Sequence, residues 1–243
     1  MPVLMEWGLT GAEALVERGA QHVVVVDVLS FSTAVSIAVD HGVTVLPYRW
    51  RHERAATFAR SQGAALADSR RHDQPSLSPA SLRRAPAGLR LVLPSPNGAS
   101  IAAALERSGV TVLAGCLRNA GATGRWLAAQ SRTDSRRLLG IVAAGERWPD
   151  GSLRPAAEDL WGAGAIIERW RSDTGTRAGL RVEAEVAAAA FRAVQAELHT
   201  ALAGCVSGQE LISKGFGADV TIAAELDRSS RVAVLRDGAF VPG

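Results

Sequence analysis

The stretch "VVVVDVLSFST", residues 23–33, joins a fully apolar run to a cluster of hydroxyl side chains. Four consecutive valines are typical of a strand that is buried on both faces of a sheet. Asp27 follows them directly, and Ser30, Ser32 and Thr33 lie where the strand would give way to a helix. These polar groups either cap that helix or bind a ligand.

Outward from this stretch, apolar runs alternate with segments of helical periodicity. We predict strands over residues 22–28, 43–48, 89–94, 110–116 and 137–145, and helices over residues 32–42, 53–63, 98–109 and 119–131. Helices between strands imply crossover connections, so the sheet should be largely parallel or mixed, with helices on both faces. The chain becomes mainly helical after residue 155, with one more strand over residues 231–235. The predicted fold class is α/β with a mainly helical C-terminal third.

The domain organisation follows from the same pattern. We treat residues 1–243 as a single domain, in which the change of character near residue 150 allows a second lobe. Residues 68–88 are polar and contain proline, which indicates a surface connection or a short helix and not an interdomain linker.

Composition narrows the class of protein. Hydrophobic residues make up 47% of the 243 residues, enough for a sizeable core. No apolar run approaches the roughly 20 residues that span a bilayer, and a secretion pattern is missing, so we expect no membrane contact and a cytoplasmic location. Cys116 and Cys205 lack paired spacing, which argues against a thiolate-held metal. The basic residues are scattered without an aromatic stripe, and we expect no nucleic-acid partner.

Polar residues also follow other predicted strands, at residues 95–100, 116–119 and 143–148. In an open α/β sheet, ligands collect where the carboxyl ends of strands meet the starts of helices. Asn97 can cap a helix there, and Gly98 lets backbone N–H groups approach an anion closely. Each turn taken singly is ordinary helix-start chemistry, but two of them side by side would form a cradle for phosphate or carboxylate.

Three carboxylates are candidates for chemistry. Asp27 would be costly at the end of a buried strand unless it is paired, hydrogen-bonded or bound to a metal. Glu158 and Asp159 lie near the start of a predicted helix, where acidic residues also favour the positive end of the helix dipole. Mg²⁺ takes one or two carboxylates and bridges to phosphate oxygens. We therefore predict that Asp27 holds Mg²⁺ together with Glu158 or Asp159, with plain helix capping as the structural alternative.

Common phosphatase motifs are absent from the sequence. The haloacid-dehalogenase pattern needs a second aspartate where this chain has Leu29, and a cysteine phosphatase needs arginine where Ala122 follows Cys116. The five histidines show no metal-ligand spacing, and there is no Walker-type loop. A phosphatase reading must therefore rest on other features.

Five segments, in this order along the chain, carry a resemblance to a known family: "VDVLSFST", "PNGAS", "GCLRNA", "AAGERWPDGSLRPAAEDLWGAGAI" and "GQELISKGFGADVTIAAELDRSSRVAVLRDG". Together they resemble the 2-phosphosulfolactate phosphatase family, over roughly residues 22–238. The resemblance implies an α/β fold unlike the common phosphatase folds. It also implies Mg²⁺-dependent hydrolysis of a phosphate monoester to (R)-3-sulfolactate and phosphate, a step in making coenzyme M.

The chain departs from the family pattern at three places. Ser30 stands where the family usually has arginine, and Pro96 stands where it usually has threonine. The family's "GNSP"-type segment is represented only by "SLSP" at residues 76–79. Loss of an arginine bears on substrate choice, because a multiply charged ester needs several cationic or N–H partners.

The expected roles divide the candidate residues into three groups. Catalysis and metal binding fall to Asp27, Glu158 and Asp159; phosphate and substrate contacts fall to Ser30, Ser32, Thr33, Asn97, Gly98 and Asn119; and the acid's second anionic group falls to Arg118, Arg147 and Arg154. Plain surface arginine is the alternative for the last group.

Several alternatives stay open at this point. Asp27 either helps to activate a water through the metal or attacks phosphorus itself as a nucleophile. The substrate is 2-phosphosulfolactate or another small phosphorylated hydroxy acid, and a relative that binds anions without turnover is a third reading. A homodimer is the default expectation for such an enzyme.

Overall fold

The computed structural model describes residues 2–49, 53–68, 70, 74–134, 137–175 and 179–243. Its strands are β1 (Val3–Trp7), β2 (Ala20–Val26), β3 (Thr44–Tyr48), β4 (Ala65–Leu66), β5 (Arg90–Pro94), β6 (Thr111–Gly115), β7 (Leu138–Ala143), β8 (Glu146–Arg147), β9 (Leu153–Arg154), β10 (Ala233–Arg236) and β11 (Ala239–Pro242). Its helices are α1 (Gly8–Glu17), α2 (Phe31–Asp40), α3 (Glu53–Ser61), α4 (Pro79–Leu82), α5 (Gly98–Leu105), α6 (Ala120–Thr133), α7 (Ala157–Thr174), α8 (Val182–Val194), α9 (Leu198–Gly204), α10 (Val206–Ser213) and α11 (Gly217–Ala223).

The main sheet is mixed, with the strand order β1-β7-β2-β6-β10-β11-β3-β5-β4. Strands β1, β7, β2 and β6 are parallel neighbours, and so are β3, β5 and β4. The hairpin β10–β11 lies between these two groups and pairs antiparallel with both β6 and β3. Strands β8 and β9 form a separate antiparallel ribbon. This architecture confirms the predicted fold class.

The valine run of β2 shows why the sheet is covered on both faces. Side chains alternate along a strand, so Val23 and Val25 point to one face while Val24 and Val26 point to the other. The first pair joins the apolar cluster beneath α1, α2 and α5, and the second pair joins the cluster beneath α6, α7 and α8. All four valines are fully buried. The strand therefore holds its carboxyl end, where Asp27 lies, rigidly within the core.

The polar segment 68–88 was predicted to be a surface connection or a short helix, and it contains the short helix α4. The segment is less superficial than its composition indicates, because Ser76, Ser78 and Leu82 are fully buried. Positions 69 and 71–73 of this segment lie outside the described residues.

The C-terminal third is mainly helical, as predicted, and runs from α7 to α11 before the hairpin β10–β11 returns to the sheet. Among the described residues, no helix combines the length and the apolar character that crossing a bilayer needs.

Candidate active site

Asp27 lies at the end of β2 and organises the turn into α2. Its carbonyl oxygen accepts a hydrogen bond from the Ser32 N–H (2.8 Å), and its own N–H donates to Ser32 Oγ (3.1 Å). Its Oδ1 accepts from the Phe31 N–H (3.0 Å). Asp27 is buried, and these bonds fix its side chain in one orientation.

The start of α5 meets this turn at Gly98. The Gly98 N–H donates to Asp27 Oδ2 at 2.8 Å. A Cβ at position 98 would lie 2.7 Å from that oxygen and 2.6 Å from Phe31 Cδ1, so only glycine permits the approach. The two turns that the sequence singled out are therefore neighbours. Both carboxylate oxygens of Asp27 accept a backbone N–H.

Asp159, in the first turn of α7, is a second buried carboxylate that accepts backbone hydrogen bonds from two other segments. Its Oδ1 accepts from the Val28 N–H (2.7 Å), and its Oδ2 accepts from the Gly145 N–H (2.8 Å). The side chain thus ties α7 to the segments that follow β2 and β7. Burial raises the pKa of Asp159 well above its ordinary value, and the negative charges of Glu158 and Asp27 raise it further.

The pKa of Asp27 also lies above its ordinary value. Burial is the main cause, and the hydrogen bonds from Phe31 and Gly98 offset part of it. The charge of Glu158 raises this pKa further, while the charge of Arg70 lowers it. Asp27 therefore lies in a site that is already crowded with negative charge.

Glu146, in β8, is a carboxylate that the sequence reasoning missed. Its Oε2 accepts a hydrogen bond from Asn97 Nδ2 at 2.8 Å. Burial, followed by the charge of Asp27, raises the pKa of Glu146 to about 7. The predicted turn at residues 143–148 contained this glutamate, but its neighbours gave no pattern that separated it from an ordinary loop charge.

An open cleft of about 920 Å³ adjoins these carboxylates. It lies between the β8–β9 ribbon, the start of α7 and the junction of α9 with α10. Its charged lining residues include the acids Glu146 and Glu158 and the arginines Arg147 and Arg154. Glu158 is 2% exposed overall. The cleft is the natural entry for a small-molecule substrate.

Cys205, at the start of α10, lies beside Glu158 in this cleft. Burial first, and then the Glu158 charge, raise the pKa of the Cys205 thiol to about 12. The thiol is therefore protonated at neutral pH and acts as a weak hydrogen-bond donor, not as a nucleophile.

The predicted hydroxyl residues are used in different ways. Ser32 Oγ donates to the Val25 carbonyl (2.9 Å), and Thr33 Oγ1 donates to the Val28 carbonyl (2.7 Å). Both hydroxyls therefore bind the turn itself. Ser30 Oγ instead accepts a hydrogen bond from a distant arginine, Arg70 (3.0 Å).

Arg70 is the second site residue that the sequence reasoning missed. Its Nη1 donates to Asp219 Oδ2 at 2.7 Å, and its guanidinium lies 5.4 Å from the centre of the Phe216 ring. The other oxygen of Asp219 accepts from Ser78 Oγ (2.6 Å), which belongs to the "SLSP" segment. Arg70 lies in the polar segment 68–88, whose sequence has no periodicity that would predict a position beside the Asp27 turn.

The side chains of Arg118 and Asn119 form ion pairs and hydrogen bonds within the fold. Arg118 is buried and forms ion pairs with Glu225 and with Asp40, the latter at 3.2 Å. Asn119 Oδ1 accepts from the Cys116 N–H at 2.9 Å. Neither residue is among the described residues that line the cleft, and their expected contact with substrate stays a prediction.

The remaining predicted arginines do reach the cleft. Arg147 is exposed, and its Nη1 donates to the Gly151 carbonyl at 3.1 Å. Arg154 pairs with Glu210 at 3.3 Å and lies 5.7 Å from the centre of the Trp148 ring. Glu210, in α10, lines this cleft as well.

The predicted pairing of Asp27 with Glu158 or Asp159 around Mg²⁺ stays a prediction. Among the described residues, no three His, Cys, Asp or Glu side chains are placed to hold a metal ion together. The reason is that Asp27 and Asp159 direct their oxygens toward backbone N–H groups. Glu158 is different, because it lines the cleft beside Cys205. A single carboxylate with partial help from a neighbour still fits Mg²⁺, which keeps waters and takes substrate oxygens as further ligands.

Fold and site together define an α/β protein with a carboxylate-lined cleft at the ends of its strands, as is typical of enzymes that act on small molecules. The family model for 2-phosphosulpholactate phosphatase matches residues 12–238. The chain belongs to this family, which confirms the resemblance found in the sequence. It is therefore a phosphatase, a hydrolase that acts on phosphoric monoesters. A search of curated proteins returns no match.

Proposed function

We propose that this chain is a Mg²⁺-dependent phosphatase that hydrolyses the phosphate monoester of a small anionic hydroxy acid, with 2-phosphosulfolactate as the first compound to test. One observation carries the proposal: Asp27, Glu146, Glu158 and Asp159 lie close enough that negative charge among them raises the pKa values of three. A phosphate dianion would be repelled from such a site unless a cation were bound with it.

The donor set fits Mg²⁺ on chemical grounds, because it consists of carboxylate oxygens. Glu158, with Asp27 behind it, would hold the ion. When bound, Mg²⁺ neutralises charge on the phosphoryl oxygens and lowers the pKa of a water. Asp159 positions Glu158, because it anchors the first turn of α7 on which both residues lie.

Glu146 is the residue best suited to move a proton. Burial is the main cause of the raised pKa of Glu146 and persists when a cation is bound nearby, and a carboxyl with a raised pKa suits a general acid or base. The hydrogen bond from Asn97 orients it. In the reaction the oxygen of water bonds to phosphorus, the bond from phosphorus to the ester oxygen breaks, and that oxygen gains a proton. Glu146 would take the proton from water or supply it to the leaving oxygen.

The alternative route makes Asp27 the nucleophile. Hydrogen bonds from Phe31 and Gly98 occupy both of its oxygens, which favours a fixed carboxylate over an attacking one. Acid quenching during a single turnover of a ³²P-labelled ester separates the two routes. Phosphate label bound covalently to Asp27 supports the nucleophilic route. Absence of protein-bound label throughout the turnover supports direct attack by water.

The proposal is tested by phosphate release from a panel of phosphorylated hydroxy acids, with Mg²⁺ and with EDTA. We expect release that depends on Mg²⁺ and that falls about 100-fold or more in Asp27→Asn, the range seen when one preorganised electrostatic group is lost. Asp134→Asn, at the end of α6, is the matched control and should keep the native rate. Full activity in EDTA, or in Asp27→Asn, would contradict the proposal.

A further inference from the structure

The walls of the cleft are more apolar than a site for a purely anionic substrate requires. Trp148 is 53% exposed and Val206 is 62% exposed, and both line the cleft. Trp161 and Pro155 line it as well. Large apolar side chains that are exposed together in a concave surface mark a binding site for an apolar group.

Trp148 is held in place by the ribbon that carries it. The backbone N–H of Trp148 donates to the Ser152 carbonyl at 2.9 Å, and the backbone carbonyl of Trp148 accepts from the Gly151 N–H at 2.9 Å. The Arg154 guanidinium lies over its ring at 5.7 Å, and Glu210 holds that arginine from α10. The exposed ring is therefore oriented by its neighbours, as a preformed wall would be.

The apolar wall and the carboxylates belong to the same cleft. Glu158 and Trp161 are three positions apart in α7, so they lie on adjoining turns of one helix face. Val206 begins α10, directly after Cys205, which contacts Glu158. A ligand whose phosphate lies at Glu158 would therefore place its remaining atoms against Trp161 and Val206.

The size of the cleft leads to the same conclusion. Its volume of about 920 Å³ is near the upper end of the roughly 300–1,000 Å³ that small-molecule pockets occupy. A phosphorylated three-carbon acid would fill only a small part of it. Such an acid would also leave Trp148, Trp161 and Val206 exposed to water.

We propose that the substrate of this chain is a phosphorylated 2-hydroxy acid that carries a bulky apolar group, aromatic or branched aliphatic, on carbon 3. This inference rests on the proposed phosphatase function and adds the class of substrate. The phosphate lies at the carboxylates, the acid group meets Arg147 or Arg154, and the apolar group packs between Trp148, Trp161 and Val206.

The test compares kcat/KM for 2-phospho-3-phenyllactate with that for 2-phospholactate and for 2-phosphosulfolactate. We expect the phenyl compound to be preferred by at least about 10-fold, the lower end of what apolar contacts contribute to discrimination. In Trp161→Ala and in Val206→Ala, the ratio of the phenyl to the lactate value should fall toward one. Val206 is exposed enough that its truncation leaves folding intact.

Val186→Ala supplies the matched control, because this valine is 55% exposed on α8 and does not line the cleft. Its ratio should equal that of the native chain. Equal or better hydrolysis of 2-phospholactate or 2-phosphosulfolactate would overturn the inference and leave the phosphatase function standing.

A chain that hydrolyses none of these compounds would overturn the proposed function, and binding measured by tryptophan fluorescence then decides the inference. Tighter binding of the phenyl compound, weakened in Val206→Ala, supports the apolar subsite. Equal binding of the phenyl and lactate compounds, or binding of neither, overturns it.

Discussion

Glu146→Gln should make the stability of this protein less sensitive to pH. The Glu146 side chain is faced by the charges of Asp27, Glu158 and Arg154, and Asn97 donates a hydrogen bond to it. Glutamine keeps an oxygen that accepts this hydrogen bond but cannot ionise. The variant therefore removes the titration of position 146 and leaves its shape and its acceptor in place.

The sign and size of the effect follow from the shift in pKa. The folded pKa is about 7 and the ordinary value is 4.5, so the folded state binds the proton more tightly than the unfolded state. The resulting stabilisation is present in full below the lower value and is lost as the pH rises through the higher one. At about 1.4 kcal/mol per pKa unit, roughly 2 kcal/mol should be lost between about pH 5.5 and pH 8.

The assay is urea unfolding of the native chain and of Glu146→Gln at these two pH values, in EDTA so that bound metal does not contribute. Asp27 and Asp159 titrate in both proteins, so the difference between the two pH dependences reports Glu146. We expect the variant to lose about 2 kcal/mol less than the native chain, and to be the more stable protein at pH 8. Glu13→Gln, at an exposed position of α1, should behave like the native chain. An unchanged pH dependence in Glu146→Gln would refute the reasoning.

Two further substitutions probe the scaffold around the site. Gly98→Ala places a Cβ 2.7 Å from Asp27 Oδ2, so we expect kcat/KM for phosphate release to fall about 100-fold, as displacements of roughly 1 Å in an active site can cause; native activity would show that the contact is not needed. Arg118→Met leaves Asp40 and Glu225 without their buried partner, and urea unfolding should show a loss of about 3 kcal/mol, the lower end for a broken buried pair because both acids are partly exposed. A loss below about 1 kcal/mol would mean that water replaces the arginine.

Local pattern was enough to predict most of the elements near the site. The four valines before Asp27, the alternation of apolar runs with helical segments, and glycine at the start of α5 all act over a few residues. The predicted strands and helices consequently agree with β2, β3, β5, β6, β7 and β10, and with α2, α3, α5 and α6, to within a few residues. Strands β1, β4, β8, β9 and β11 were not predicted, because they are short or lack a clear periodicity.

The order of the strands could not be predicted in the same way. The hairpin β10–β11 comes last in the sequence but lies in the middle of the sheet, between β6 and β3. Nothing in the residues 231–242 indicates these partners, because strand pairing is decided by the packing of distant segments. A mixed sheet was one of the two predicted alternatives, but the reason for its mixture, this inserted hairpin, appears only in the structure.

The candidate site shows the same division. The carboxylates Asp27, Glu158 and Asp159 were found because a buried strand end and a first helical turn are recognisable in sequence. Glu146 and Arg70 were missed, because each lies in a segment whose local pattern is that of an ordinary loop. Arg118 was predicted to contact substrate because its turn follows a strand. In the structure its side chain forms ion pairs with Asp40 and Glu225.

Ser30 shows how a departure from a family pattern can be read once the side chains are placed. The sequence alone indicates that a positive charge is missing next to the Asp27 turn. In the structure, Arg70 reaches this position from another segment, donates to Ser30 Oγ at 3.0 Å and lowers the pKa of Asp27 through its charge. A serine is small enough to admit that guanidinium, and Asp219 holds it from α11. An arginine therefore lies beside the turn in space, although position 30, where the resemblance implies arginine, is serine in this sequence.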